Sequence, residues 1–380
     1  MASRSLPLIE VSGTPKERGR TYGEAAREEI ARSLAYYREA FSFASGLDWP
    51  QVLAKARTWR PVVEEAAPHL LEEMDGIAEG AGVTGDDILA LNARGEIVRS
   101  NDSSFTGMPA TERADGCSSY ALLPEATADG HTYCGQNWDW RVGTQATTVI
   151  VRVVQPPKPT VVMQVEAGQI GRHGVNSAGI ALNANGLDGR FGTPPGLPQP
   201  LLRRMILDSV NMREAIQVPF SVRQQIATNL LITHRDGLAI DLETTPVTHR
   251  WGYPADGILV HGNHYLYGVP EPVTNTYRPS SIDSLYRVPI IEKGLQAVRD
   301  ASGSEGVRKV VVETMSDHFG HPDSVCEHAD PNVVEVLRYQ TIMNSLADLT
   351  TGEYRVIPGN PCEGEYELLP WNLYDGPGAP

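Results

Sequence analysis

The order of periodicities along the chain predicts an α+β fold of four layers, αββα, with two antiparallel sheets stacked between outer helices. Three observations carry this. Apolar residues recur at helical spacing through the first hundred positions, strand alternation takes over from Cys117, and helical spacing returns over about 280–316 before a last hairpin.

Each element has its own signal. Thr14-Pro15-Lys16-Glu17 combines an N-cap, a proline at the first helical position and the glutamate of a capping box, opening a helix over about 15–45, continuous or broken once. Pro61 to Ala81 sets Val63, Leu70, Met74 and Ile77 at helical spacing, and Asp86 to Leu91 reads as a shorter helix. Asn101 to Gly116 has the polar, irregular composition of an exposed loop. Ser118 to Leu123 and His131 to Trp138 flank Ala128-Asp129-Gly130 as a hairpin, and strands follow at Thr147 to Val154, Thr160 to Glu166 and Gly179 to Asn183. Arg190 to Pro200, rich in proline and glycine, reads as a loop bordering a pocket, and Leu201 to Ile216 as helix. A second strand cluster covers Thr228 to Thr233, Leu238 to Glu243, Thr248 to Trp251 and Gly257 to Val260. Helices at about 280–299 and 303–316 precede a hairpin of Thr341 to Leu349 and Glu353 to Ile357.

A chain of 380 residues has room for two domains or more at about 150 residues each. It shows neither repeats nor a Gly/Ser linker, so residues 1–380 are expected to form one αββα domain. A formal charge of −15 disfavours nucleic acid and anionic membranes as partners. With no apolar run near the ~20 residues of a membrane span and no secretory signal, a cytoplasmic location is expected. Four cysteines, Cys117, Cys134, Cys326 and Cys362, then read as reduced thiols, with no CxxC and no zinc-like pairing with histidine.

The chemistry concentrates at Asp115-Gly116-Cys117-Ser118-Ser119. Glycine permits the strained geometry that brings a thiol onto the preceding carbonyl. Attack on the Gly116 carbonyl and hydrolysis of the thioester would leave Cys117 with a free α-amine. An α-amine titrates at about 7.7–8.0 and can act as general base beside its own thiol. Taken alone, Cys117 reads equally well as a buried small apolar residue; the rest of the chain separates the two.

Five segments in order resemble the isopenicillin N acyltransferase family, self-processing acyltransferases and amide hydrolases of the N-terminal nucleophile superfamily. They are Gly13 to Gly23, Asp115 to Cys117, Gly135-Gln136-Asn137-Trp138-Asp139, Gly174 to Asn183, and His261-Gly262-Asn263-His264-Tyr265. The resemblance implies the αββα sandwich and cleavage between Gly116 and Cys117, giving chains 1–116 and 117–380. It makes Cys117 the nucleophile and Asp139 the carboxylate that orients its amine. Asn263 becomes an oxyanion donor, and Gln136, Asn183 and Glu327 fall at substrate-binding positions. The implied reaction is amide hydrolysis or acyl transfer through an acyl-enzyme, on a small-molecule amide or an acyl donor such as an acyl-CoA, without cofactor.

One position departs from the family. Ser324-Val325-Cys326-Glu327-His328 carries Glu327 where the family has arginine. An acid there should favour neutral or amine-bearing substrates. Arg278 and Arg287 are candidate substitutes for the missing cation, although both read as surface residues of a helix and its lead-in. Two alternatives stay open: a Cys-His protease of intact chain, using His261 or His264, and a catalytically inactive binding relative. No metal is expected, since His318 and His321 beside Asp317 and Asp323 read as exposed loop residues.

Overall fold

The computed structural model describes residues 6–99 and 116–376; the expected loop Asn101 to Gly116 lies outside them except for Gly116, which is strand. In chain order, β1 (Leu8–Ser12) is followed by seven helices, α1 (Pro15–Ala25), α2 (Arg27–Ser45), α3 (Trp49–Ala56), α4 (Arg60–Ala66), α5 (Pro68–Ala81), α6 (Gly85–Asn92) and α7 (Arg94–Arg99). Six strands come next, β2 (Gly116–Leu122), β3 (Tyr133–Arg141), β4 (Thr148–Val154), β5 (Val161–Glu166), β6 (His173–Asn176) and β7 (Ile180–Gly186). Helices α8 (Gln199–Leu207) and α9 (Met212–Ser221) lead to β8 (Thr228–His234), β9 (Leu238–Thr244), β10 (His249–Gly252) and β11 (Ile258–His261). Last come α10 (Ser284–Leu295), α11 (Gly303–Met315), β12 (Tyr339–Asp348), β13 (Glu353–Pro358) and β14 (Glu367–Leu368).

The strands form two sheets, one of eight in the order β1-β4-β5-β6-β7-β8-β9-β10 and one of six in the order β11-β2-β3-β12-β13-β14. Alternation along each strand sorts the side chains into layers. Val149, Val151 and Val153 of β4 face the N-terminal helices, and Ile150 faces the other sheet. On the six-stranded sheet Cys117, Ala121, Cys134 and Trp138 look inward, while Tyr120, Leu122 and Tyr133 pack on α10 and α11. The result is the expected αββα sandwich.

Two expectations change. The first hundred residues are not all helix, because Leu8–Ser12 alternates buried Ile9 and Val11 with exposed neighbours and lies parallel on β4. The eight-stranded sheet is therefore mixed. The helix over 15–45 takes its broken form, at Ala26, whereas that over 61–81, expected continuous, breaks at Ala67, whose φ of −152° is not helical.

The N-terminal motif has a packing explanation. Thr14 and Glu17 form the capping box, and the glycines downstream let α1 lie directly on α5. A Cβ on Gly19 would sit 1.9 Å from the Glu73 carbonyl oxygen, and one on Gly76 would sit 2.3 Å from that of Lys16. Beside this seam Arg18 and Arg204 both grip the buried Glu73, at 2.7 and 2.9 Å. Gly19→Ala or Gly76→Ala must push the helices apart, and overpacking of this kind costs about 1–3 kcal/mol. Thermal melts should show a lowered midpoint for each; an unchanged midpoint would mean the seam relaxes freely.

Candidate active site

Strand β11 ends at His261, opposite Ser119 of β2. Cys117 lies beyond that end, so its backbone groups on this side have no strand to meet, and buried peptide groups must be satisfied somehow. Side chains take over. Asn263 Oδ1 accepts the Cys117 N–H at 3.1 Å, while Asn185 Nδ2 and Arg287 Nη1 both donate to the Cys117 carbonyl at 3.0 Å. Cys117 itself is fully buried between the sheets.

Arg287 organises this corner. It is 1% exposed, on the face of α10 turned to the sheet. Besides Cys117 it donates to Ser118 Oγ at 2.6 Å, Asn263 Oδ1 at 2.8 Å and Asp283 Oδ2 at 2.6 Å. Burial works against its charge, but Asp283, Asp139 and Glu327 more than compensate and raise its pKa above the usual value. The expectation that Arg287 is a surface residue is therefore corrected. A helix carrying Asp283 and Arg287 four apart resembles a solvent-exposed ion pair in sequence, yet here the pair is buried against the strand that starts at Gly116.

Asp139 and Glu327 lie together on the outer face of the six-stranded sheet. Asp139 is the register partner of Gly116 and accepts from Thr341 Oγ1 at 2.6 Å. Thr341 Oγ1 also accepts the Glu327 N–H at 3.0 Å, tying the two acidic residues to one hydroxyl. A Cβ on Gly116 would lie 2.9 Å from Asp139 Cβ and 3.2 Å from Glu327 Oε2. Glycine at 116 thus makes room for two carboxyl groups, beyond any conformational freedom it offers.

Asn263 is oriented differently from its expected oxyanion role. Its oxygen faces Cys117 N and its Nδ2 donates to the Gly186 carbonyl at 3.2 Å. Gln136 and Asn183 clasp the two sheets: Gln136 Oε1 accepts from Asn183 Nδ2 at 3.2 Å and from the Ala184 N–H at 3.1 Å. Neither histidine beside Asn263 reaches for the thiol. His261 Nε2 contacts Glu243 Oε1 at 3.1 Å, and His264 Nδ1 contacts Ser284 Oγ at 2.7 Å. Burial brings His264 down to about 4. No Cys-His couple of the protease type is built from them.

A cavity of about 560 Å³ is lined by α2, α7, the ends of β3 and β12 and residues 273–280; it meets the site at Gly186, and Cys117, Asp139 and Asn263 are outside its lining. Its wall includes Tyr37, Phe41 and Trp140 but also seven arginines, Arg94, Arg99, Arg141, Arg172, Arg190, Arg203 and Arg278, with Glu96 and Asp188 as lining carboxyl groups and Glu166 behind the wall paired with Arg94 and Arg172. Burial pushes Glu96 up to about 7, thinning the negative charge further. Glu327, Gln136 and Asn183 are absent from the lining. Of the expected 190–200 loop, Arg190 contributes as loop, while Gln199 and Pro200 contribute from the first turn of α8. Glu327, from which a preference for neutral or amine-bearing substrates is argued, lies beside Gly116 and outside the cavity lining.

A helix-covered double sheet with a cysteine at the head of an inner strand and a cavity beside it describes a class of acyl-transferring and amide-cleaving enzymes. The chain belongs to the acyl-coenzyme A:6-aminopenicillanic acid acyl-transferase family, whose model matches residues 126–363, a span holding Asp139, Asn263, Arg287 and Glu327. It is similar to the 40 kDa form of acyl-coenzyme A:6-aminopenicillanic-acid-acyltransferase of Emericella nidulans, 30% identical over 320 residues and covering 84% of each chain. Among solved structures it resembles penicillin V acylase from Agrobacterium tumefaciens, at 12% identity and a TM-score of 0.45 over 64% of this chain and 83% of that one. A mutant conjugated bile acid hydrolase from Clostridium perfringens matches at 10% identity and a TM-score of 0.44, over 68% of this chain and 97% of that one.

If Arg287 is the counter-charge for this corner, Arg287→Met should cost about 3–5 kcal/mol, the usual penalty for stranding buried charges. Urea unfolding in a Cys117→Ala background separates this loss from any effect on chain cleavage. A cost below 1 kcal/mol would make Arg287 a bystander.

Proposed function

We propose that this protein is a self-processing acyltransferase or amide hydrolase in which Cys117, released by cleavage after Gly116, is the nucleophile. The observation that carries the reading is the cradle around Cys117, where nitrogen and carbonyl are each held by buried side chains, Asn263, Asn185 and Arg287. In the uncut chain the thiol adds to the Gly116 carbonyl and the peptide C–N bond breaks. The Cys117 nitrogen leaves as an amine, with the Gly116 acyl group on sulfur. Water then cleaves the thioester, restoring the thiol and leaving Gly116 as a carboxylate.

In the mature enzyme the α-amine takes the thiol proton as sulfur attacks an acyl carbonyl, and returns it to the departing group. Water or an amine completes the cycle by taking the acyl group. Asn263 Oδ1, which accepts the Cys117 N–H, would orient the amine rather than donate to the oxyanion. Asp139 lies beside the new terminus, where its charge favours the protonated amine of the intermediate.

The cavity favours an acyl donor with an anionic portion, such as a carboxylate or the phosphates of an acyl-CoA, because guanidinium groups pair with both. Its aromatic wall suits the acyl chain. Members of the family differ in the final acceptor, and hydrolysis and transfer use the same acyl-enzyme.

Cleavage should give chains of 116 and 264 residues, the latter 380 − 116, that copurify under native conditions and separate on denaturing gels. Cys117→Ala should yield one uncut, inactive chain. Active enzyme running as a single full-length band would refute the mechanism. For the substrate, amides or thioesters differing only in a carboxylate or an amine should be turned over in favour of the carboxylate, and Arg278→Ala at the exposed rim should narrow that ratio chiefly through KM. Preference for the amine-bearing substrate would rule out the cationic cavity as the binding site.

A further inference from the structure

Outside the lining of the cavity, the loop after α11 and the turn after β13 bring four metal-binding side chains to one point. His318, Cys326, His328 and Cys362 have ligand atoms all within 4.8 Å of one another. The two imidazole Nε2 atoms, of His318 and His328, are 3.0 Å apart. The Cys326 and Cys362 sulfurs are 3.5 Å apart and lie 3.6 and 3.5 Å from His328 Nε2.

These separations can be compared with a metal centre. Zinc bound tetrahedrally at ~2.3 Å to sulfur and ~2.0 Å to nitrogen sets edges of about 3.8 Å between sulfurs, about 3.3 Å between nitrogens and about 3.6 Å between the two kinds. The four closest contacts, between the nitrogens, between the sulfurs and from His328 to each sulfur, match that pattern within a few tenths of an ångström, and His318 Nε2 lies within 4.8 Å of both sulfurs. A disulfide would instead bring the sulfurs to about 2.05 Å, and both cysteines are free thiols.

From this convergence we infer that the protein carries a structural zinc site with a Cys2His2 donor set, His318, Cys326, His328 and Cys362. Two thiolates and two imidazoles are the donor combination that suits zinc. All four corners come from the protein, so the site is closed and structural, with no position left for substrate. Binding displaces the thiol protons to solvent. Exposed His318 and Cys362 provide the path of entry, while Cys326 is buried. Asn360 supplies an outer contact, donating to Cys326 Sγ at 3.4 Å and to the Glu327 carbonyl at 2.7 Å.

The consequence is mechanical. The ion would pin the returning loop to the turn at Pro361–Glu363. Glu327 sits between two ligands, Cys326 and His328, with its side chain beside Gly116. Holding Glu327 there connects the metal to chain cleavage, and only this last step rests on the proposed self-processing.

Full-length protein, gel-filtered after expression with zinc, should contain about one zinc per chain by elemental mass spectrometry. Replacing it with cobalt(II) should give the intense visible bands and sulfur-to-metal charge transfer of a tetrahedral thiolate centre. His318→Asn and Cys362→Ser, both at the surface, should each lose the metal and the cobalt spectrum while circular dichroism remains native. Chelation should lower the melting temperature of wild type and leave both variants unmoved. A natively folded wild type that takes up neither metal, or retention of both metals by both variants, would overturn the site, as would a Cys326–Cys362 disulfide in freshly purified protein. Metal binding by the wild type, with unaltered chain cleavage in the two metal-free variants, would overturn only the link to Glu327.

Discussion

The site depends on one constraint: strand β11 stops before it can pair with Cys117, and the buried peptide groups left over must be satisfied by side chains. Asn185 reaches across from the other sheet, Asn263 occupies the position where the strand would have continued, and Arg287 comes down from α10. Importing a guanidinium into a dry corner has its own requirement, since a buried charge without partners is strongly destabilising. Asp283, Asp139 and Glu327 meet it. The carboxyl groups flanking Gly116 thus follow from how a truncated strand is completed.

Much of this was legible in the sequence, and the illegible part has definite causes. Alternation exposed the strands, and the motifs around Cys117, Asp139 and Asn263 lie on strands or just beyond them, so their neighbourhood could be read from order alone. Strand β1 escaped because five residues, only two of them buried, give too little alternation to stand out beside a well-capped helix. Arg287 was legible as a candidate cation but not as a buried one, because its partners are remote, with Cys117 170 positions away. The cluster at His318, Cys326, His328 and Cys362 escaped for the same reason, since no short spacing joins a loop after one helix to a turn after a later strand.

The acidic residue at 327 shows how charge at a site differs from charge at a position. With Arg287 supplying a cation from α10, Glu327 becomes one of its counter-ions, and its sign is no guide to the substrate by itself. The whole-chain charge is equally uninformative. A molecule at −15 concentrates seven arginines on the wall of one cavity, and a ligand inside responds to these nearby groups more than to carboxylates a Debye length away, about 8–10 Å at physiological salt.

The position of the proposed cut makes physical sense in the same terms. Gly116 is the first residue of β2, so breaking the bond to Cys117 leaves the strand's pairing with β3 essentially whole. Everything before the cut, from β1 through α7, remains held by the parallel pairing of β1 with β4 and by an apolar core in which Ile30, Leu70 and Ile77 meet Val151, Met163 and Leu182. Separating the chains would return that core to water at roughly 25 cal/mol per Å² of apolar surface, whereas cleavage removes one covalent link at the edge of a structure whose contacts already determine its shape. A nucleophile made by cutting the backbone is tolerable where the cut falls at the head of a strand and the covering layer has its own strand in the opposite sheet, and this fold meets both conditions.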